Sequence, residues 1–231
     1  MKITAILVMK SMGPESASDP VLLANESDLS QFGFFHRGGA KEFIFFVGRT
    51  VAMRTPLNQR QSVQHEVRNP TQAIFPLISN GITDFILSGL GDSWKNQYKV
   101  HAYNRNGLCV LAFMDDHYPM RSAFFLLNKI IDEYQKNFGD SWKTAQTDST
   151  QPWPYLKEAL STFQDPAEAD TLTRIQRDLD ETTIILHQTI DSVLARGEKL
   201  DSLVEKSSDL SAVSQMFYKQ AKRNNQCCTV I

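Results

Sequence analysis

Toward the end of the chain, apolar and small side chains recur at Leu172, Ile175, Leu179, Thr182, Leu186, Thr189, Val193, Arg196, Leu200, Leu203, Ser207, Leu210, Ser214, Phe217 and Ala221, in steps that alternate three and four. An average step of 3.5 residues keeps one stripe on one side of a helix, which is the condition for a coiled coil. The intervening positions are polar, so the pattern predicts one long helix that must bury its single apolar face against partner helices. The centre of the stripe is charged. Arg196 stands between Val193 and Leu200, where an unpaired guanidinium would lose its hydration. Spacing alone leaves two readings: a polar layer that fixes register and partner number, or an arginine whose stem lies along an ordinary two-stranded seam while its head reaches water. The small residues Thr182, Thr189, Ser207, Ser214 and Ala221 favour a bundle of more than two helices.

The first part of the chain has a different pattern. An apolar run from Ile3 to Met9 suits a buried strand, and a second rich segment, Glu42 to Met53, has a strand-like composition. Val100, Ala102, Cys109, Leu111 and Phe113 alternate around Asn106-Gly107, a pair that supplies the positive φ angles of a tight hairpin turn. After Pro119, Phe124, Leu127, Ile131, Tyr134 and Phe138 fall at helical spacing and predict an amphipathic helix that covers a sheet. Pro166 sits where a short helix should end, which puts a domain boundary near Asp165. The chain thus divides into an α+β domain over residues 1–164 and a helical segment over 171–231. Val67 to Gln97 has no clean period and separates segments that a short loop would otherwise join. It reads as an atypical insertion, either a surface excursion, a binding loop or translated intron sequence.

Composition sharpens this division. All 3 tryptophans precede Gln164, and of 14 phenylalanines and 11 glycines only Phe217 and Gly197 follow it. A formal charge of -2 gives no basic excess for phosphate binding, so nucleic acid is a poor partner. The longest apolar stretch, Phe75 to Leu90, contains Asn80 and Asp84 and falls short of the ~20 residues that span a bilayer. The N-terminus shows no cleavage signal. Three cysteines make no disulfide framework and point to a reducing compartment.

Two of those cysteines are adjacent. Cys228-Thr229-Val230-Ile231 has the form of a prenylation box, with Ile231 leaving the isoprenoid open, and Cys227 beside it can carry a second lipid, palmitoyl or prenyl. One lipid chain binds a membrane marginally and reversibly while two hold it, so this tail allows both a cytosolic and a membrane pool. Lys219, Lys222 and Arg223 add attraction to anionic lipid.

No catalytic or metal constellation emerges. The five histidines lack metal spacing, and Gly89-Leu90-Gly91 is followed by no phosphate-loop Lys. Asp115-Asp116-His117 reads as a strand-ending turn. Cys109, in an apolar strand, reads as an inert thiol. The residues themselves leave a homodimeric coiled-coil tether on membranes as the alternative to a heteromeric bundle.

Four stretches carry a family resemblance: LDETTIILHQTIDSVLARGEKLDSLVEKSSDL around Arg196, MFYKQAK before the cysteines, SQFGFFHRGGAKEF, and YPMRSAFFLLNKIIDEY. Together they resemble the YKT-type longin R-SNAREs, the branch with a lipid anchor in place of a transmembrane segment. The resemblance implies a longin domain, a five-stranded antiparallel sheet flanked by helices, followed by a long SNARE coiled-coil helix. It implies vesicle-membrane fusion in ER, Golgi and vacuolar-endosomal transport, on the cytoplasmic face of Golgi, vesicle, endosomal, vacuolar or plasma membranes. Arg196 matches the family's zero-layer arginine, which three glutamines from Q-SNARE partner helices would hold, and no cofactor is implied beyond the covalent isoprenoid and second lipid. The longin domain would fold back on the SNARE helix, with Phe43 and Phe46 as groove candidates; their strand-like setting gives the competing reading that both are core. The 67–97 insertion falls where the family has a short connection.

Overall fold

A computed structural model describes residues 2–16, 18–30, 32–33, 37–63, 98–149, 152–164, 184–187, 189–216 and 219. The Val67 to Gln97 segment, the proposed boundary near Asp165, and the positions Leu172, Ile175, Leu179, Thr182, Phe217, Ala221, Cys227 and Cys228 lie outside the described residues. Described residues within 1–28, 48–64 and 98–187 form one compact unit, and those within 29–47 and 188–231 form a second.

The first unit is built on a sheet. Strand β1, Ile3–Lys10, is apolar at nearly every position and buried along its length, as a strand covered on both faces must be. It pairs antiparallel with β2, Val21–Ser27, on one side and with β5, Leu108–Asp115, on the other. β5 pairs with β4, Tyr98–Arg105, and β4 with β3, Gln59–Val63, both antiparallel. These five strands are the expected antiparallel sheet. A sixth was not expected: β6, Ile184–His187, lies parallel to β3 and completes the order β2-β1-β5-β4-β3-β6.

The β4–β5 turn follows the sequence signal closely. Arg105 faces Leu108, and Asn106 and Gly107 take φ of 56° and 99°, the left-handed geometry of a two-residue hairpin loop. Asn104 secures this end of the sheet from within. Its buried side chain donates to the carbonyls of Ser11 (3.0 Å) and Thr55 (3.1 Å) and accepts from Gly107 N (3.0 Å).

One face of the sheet is covered by helices α2, Met120–Phe138, and α3, Pro154–Thr162. The helical spacing foreseen for α2 holds, with Phe124, Leu127, Ile131 and Tyr134 buried. Phe138 is 42% exposed and instead joins a small aromatic group with Tyr134 (4.7 Å between centroids) and Trp153 (5.6 Å). Gln164 closes the unit by bracketing the backbone of Ile3, accepting its N–H at 3.0 Å and donating to its carbonyl at 2.7 Å.

The strand-like reading of Glu42 to Met53 is corrected: these residues belong to helix α1, Arg37–Arg54. Ala40, Phe43, Ile44, Val47 and Val51 recur at helical intervals and are all buried, so the period outweighs the β-rich composition. Within the first unit, Gly48 of α1 meets β1, where an added Cβ would collide with the Leu7 side chain. A helix-interior glycine costs roughly 1 kcal/mol against alanine, and this close approach is what it permits.

His101 of β4 is fully buried, edge-on to Phe124 at 5.4 Å, and neither ring nitrogen has a partner among the described residues. Burial, aided by the nearby Lys99 charge, lowers its pKa from 6.5 to about 3. The folded protein therefore keeps His101 neutral, while the unfolded chain takes up a proton once pH falls below 6.5. Stability is intact above that value and declines as pH falls toward 3. Between pH 7 and 5 this residue should remove about 2 kcal/mol, so His101→Leu should show a correspondingly smaller loss of urea stability over that interval. Leu126, fully buried on α2, tests the apolar core: Leu126→Ala should lower unfolding free energy by about 2–5 kcal/mol, measured by urea denaturation at pH 7.

Candidate functional site

The segment with the 3-4 stripe is folded, and it is not one helix over its described residues. After β6 comes a 3-10 turn, Ile190–Val193, then α4, Leu200–Lys206, then a helical stretch over 212–216. The expectation of a continuous helix is thus corrected for this state of the chain. The reason is the one the pattern itself supplies: without partner helices a single apolar stripe has nothing to pack on, and the lone helix is unstable. The chain buries its apolar residues otherwise. Val193, Leu200 and Leu210 of the stripe are buried, but so are Ile190 and Val204, which lie off it, while Leu186 of the stripe is 66% exposed.

β6 is held by backbone pairing. Ile184, Ile185, Leu186 and His187 face Arg60, Gln61, Ser62 and Val63 of β3. β3 has an outer edge whose amides and carbonyls need partners, and a parallel strand meets that need without matching side chains. Its own side chains are tied elsewhere. Arg60 lies over the Tyr103 ring at 4.6 Å, and Gln61 donates to the Val51 carbonyl at 3.0 Å and to Thr55 Oγ1 at 2.5 Å. Consecutive β-branched residues at Thr182, Thr183, Ile184 and Ile185 are the sequence signal for this strand, and the heptad pattern masked it.

Beyond β6, Thr189 caps the 3-10 turn reciprocally with Ser192: Ser192 N donates to Thr189 Oγ1 (3.2 Å) and Thr189 N to Ser192 Oγ (3.3 Å). Arg196 then sits on an exposed turn closed by Glu198 N to Ala195 O at 3.0 Å, followed by Gly197 at φ 90°. Among the described residues Arg196 makes no ion pair. Leu203, Ser207 and Ser214 are half-buried.

In the second unit, the first turns of α1 accompany this segment. Phe43 and Phe46 are buried there, 8% and 3% exposed. Glu42, between them and the helix start, makes a contact to the tail with no sequence signal. Its Oε2 accepts Ser211 N at 2.9 Å and Ser214 Oγ at 2.7 Å. Ser211 and Ser214 also bond each other, Ser214 N donating to Ser211 Oγ at 3.3 Å. Gln215 Nε2 donates to the carbonyls of Ser207 (3.2 Å) and Leu210 (3.3 Å), and Lys219 pairs with Glu205 at 2.9 Å.

The remaining chemistry-bearing groups are structural. Cys109 is fully buried, and burial pushes its thiol up to about 12, so it is not a nucleophile near neutral pH. Asp115, Asp116 and His117 form the turn that ends β5: His117 N donates to Asp115 Oδ1 at 2.9 Å and Tyr118 N to the Asp115 carbonyl at 3.0 Å. The hydrogen bond that His117 Nδ1 donates to Asp115, then the charges of Asp116 and Asp115, raise the pKa of His117. Their ligand atoms lie within 4.8 Å of one another, and this turn geometry accounts for the cluster. No helix among the described residues is long and apolar enough to cross a membrane.

Comparison with known proteins supplies the context for these features. Residues 171–229 match the synaptobrevin family model, and residues 93–163 match the longin model, described as a regulated-SNARE-like domain. Over its full length and theirs, the chain is 64% identical to the VAMP-like protein YKT61 and 58% identical to the VAMP-like protein YKT62, both of Arabidopsis thaliana. It is 38% identical, again over both full lengths, to the synaptobrevin homolog YKT6 of Saccharomyces cerevisiae. Both matched models belong to the SNARE group, which is non-enzymatic. The sheet with its flanking helices and the 3-4 stripe around Arg196 are therefore the two parts of one known architecture, and the chain belongs to the YKT6-type family of longin-bearing R-SNAREs of vesicle trafficking.

Proposed function

We propose that this chain drives membrane fusion by exchanging its folded-back tail for a continuous helix in a parallel four-helix bundle with three Q-SNARE helices. The observation that carries this reading is the unbroken 3-4 stripe on both sides of Arg196. Arg196 is the zero layer, and Leu172, Ile175, Leu179, Thr182, Leu186, Thr189, Val193, Leu200, Leu203, Ser207, Leu210, Ser214, Phe217 and Ala221 are the flanking layers. Glutamine side chains from the partners offset the desolvation of the guanidinium through charge-assisted hydrogen bonds. An apolar partner would leave it buried and unpaired.

A longin domain over residues 1–164 restrains the SNARE segment, 171–231, until partners are present. Phe43 and Phe46 contribute to the surface that receives it. A prenyl group on Cys228 and a second lipid on Cys227 attach the chain to the cytoplasmic face of Golgi, vesicle and endosomal membranes, and a single lipid leaves it in exchange with the cytosol. Zippering from Leu172 toward Ala221 pulls on those lipids and draws the two bilayers together. The free energy of bundle formation does the mechanical work.

Mixing the purified chain with three Q-SNARE helices should give an SDS-resistant complex of one copy of each; formation of a homodimer alone, with no such complex, would establish a tethering coiled coil instead. Cys228→Ser should remove the chain from the membrane pellet of fractionated cells, since without the prenyl group the neighbouring Cys227 is not brought to the bilayer. Recovery of this variant on membranes overturns the anchor assignment.

A further inference from the structure

A continuous α-helix through the tail requires each N–H to meet the carbonyl four residues before it, so Ser211 N must bond Ser207 O. Here both ends of that bond are diverted by side chains. Ser211 N donates to Glu42 Oε2 on α1 at 2.9 Å, and Ser207 O accepts Gln215 Nε2 at 3.2 Å. Three residues on, a new helix start is marked: Ser214 N donates to Ser211 Oγ (3.3 Å), as to an N-cap, and the acceptor that a continuous helix would give it, Leu210 O, accepts Gln215 Nε2 (3.3 Å). Glu42 also holds Ser214 Oγ at 2.7 Å, and Ser214 is a position on the stripe.

We propose that Glu42 is the release point of the folded-back tail, a positioning residue whose carboxylate keeps the helix broken between Ser207 and Ser211 and so prevents the last layers from zippering. The proposal rests on the four-helix reading above. It separates two restraints that differ in kind. β6 is held by main-chain bonds to β3, which tolerate substitution and release only as a strand. Glu42 holds through one charged acceptor shared by two donors, a contact that is stronger than a neutral one and is lost with one side chain. Glu42 is half-buried, between the buried Phe43 and the exposed Lys41, so the carboxylate can leave for water once its donors turn away. The charge of Glu42 does not help the bundle, and Ser211 N and Ser207 O recover each other as the helix forms.

Amide hydrogen exchange and assembly kinetics on the full chain test this together. In Glu42→Ala the freed stretch has no helix partner in the monomer, so amides of 211–216 should exchange at least about tenfold faster, while those of 184–187 keep their protection. Assembly with three Q-SNARE helices should speed up about tenfold. Glu42→Gln, which keeps a neutral acceptor and preserves the shape of α1, should lie between the two and serves where the alanine variant does not fold. Gln215→Ala should reproduce part of the effect from the tail side. Unchanged exchange at 211–216 overturns the proposal, and so does faster exchange with no gain in assembly rate when the unaltered chain assembles. Should neither form assemble, the four-helix reading fails, and the exchange data alone then decide whether Glu42 holds the break.

Discussion

The outer edge of β3 is the constraint on which the rest of the molecule turns. An edge strand presents unpaired N–H and C=O groups that must meet water, a covering element or another strand. β3 is short, and its side chains are committed inward: Arg60 to the ring of Tyr103, Gln61 to the end of α1. The edge is therefore defined by backbone alone, and a segment of any side-chain pattern with extended propensity can occupy it. Ile184–His187 does so, and the five-stranded sheet becomes six-stranded. The same residues carry the heptad pattern of a helix. On the proposed function, one stretch of sequence serves two incompatible backbone states, and the presence or absence of partner helices would select between them.

That competition explains why burial in the tail does not follow the stripe. In a bundle, Leu186 would face the interior; on the sheet it is 66% exposed, because strand alternation and helical period place different residues on the covered face. Ile190 and Val204 gain burial that a bundle would not give them. Fully burying a side chain of this size is worth roughly 1.5–3 kcal/mol, so exchanging Leu186 for Ile190 and Val204 offsets much of what the folded-back form forgoes. A restraint built this way is modest in total, and a ligand that binds only one state can shift it.

The sheet and its first covering helix were legible in the residues. β1 announces itself by unbroken apolarity, the β4–β5 hairpin by Asn106-Gly107, and α2 by its 3-4 spacing. Helix α1 was misread because Phe43, Phe45, Phe46, Val47 and Val51 have strand-like composition, although Ala40, Phe43, Val47 and Val51 follow a helical period. β3 has no apolar alternation to read, since three of its four buried residues, Arg60, Gln61 and Ser62, are polar and only Val63 is apolar. β6 was hidden beneath a stronger helical pattern. Glu42 had no signal at all: one carboxylate on the polar side of an unrecognised helix gains meaning only when the fold brings Ser211 and Ser214 to it. Periodicity reports how a segment packs in one state, and a segment with two states carries only its more regular one in plain view.

On the proposed function, Gly197 and its neighbour Arg196 serve both states. A glycine directly after the central arginine of a long helix costs roughly 1 kcal/mol relative to alanine, with no turn or close approach in a straight helix to require it. In the folded-back form its φ of 90° is what closes the turn that carries Arg196 into solvent. The arginine is then fully hydrated and costs nothing, while the helix that would bury it is weakened at that point. Partner helices that supply acceptors for the guanidinium remove the first advantage and outweigh the second, since charged hydrogen bonds are worth about 1.5–3 kcal/mol each. Partners without acceptors leave both in place. In the proposed bundle, Arg196 and Gly197 together would therefore make commitment to the helix conditional on the chemistry of the partner at a single layer, which the apolar layers on either side could not do.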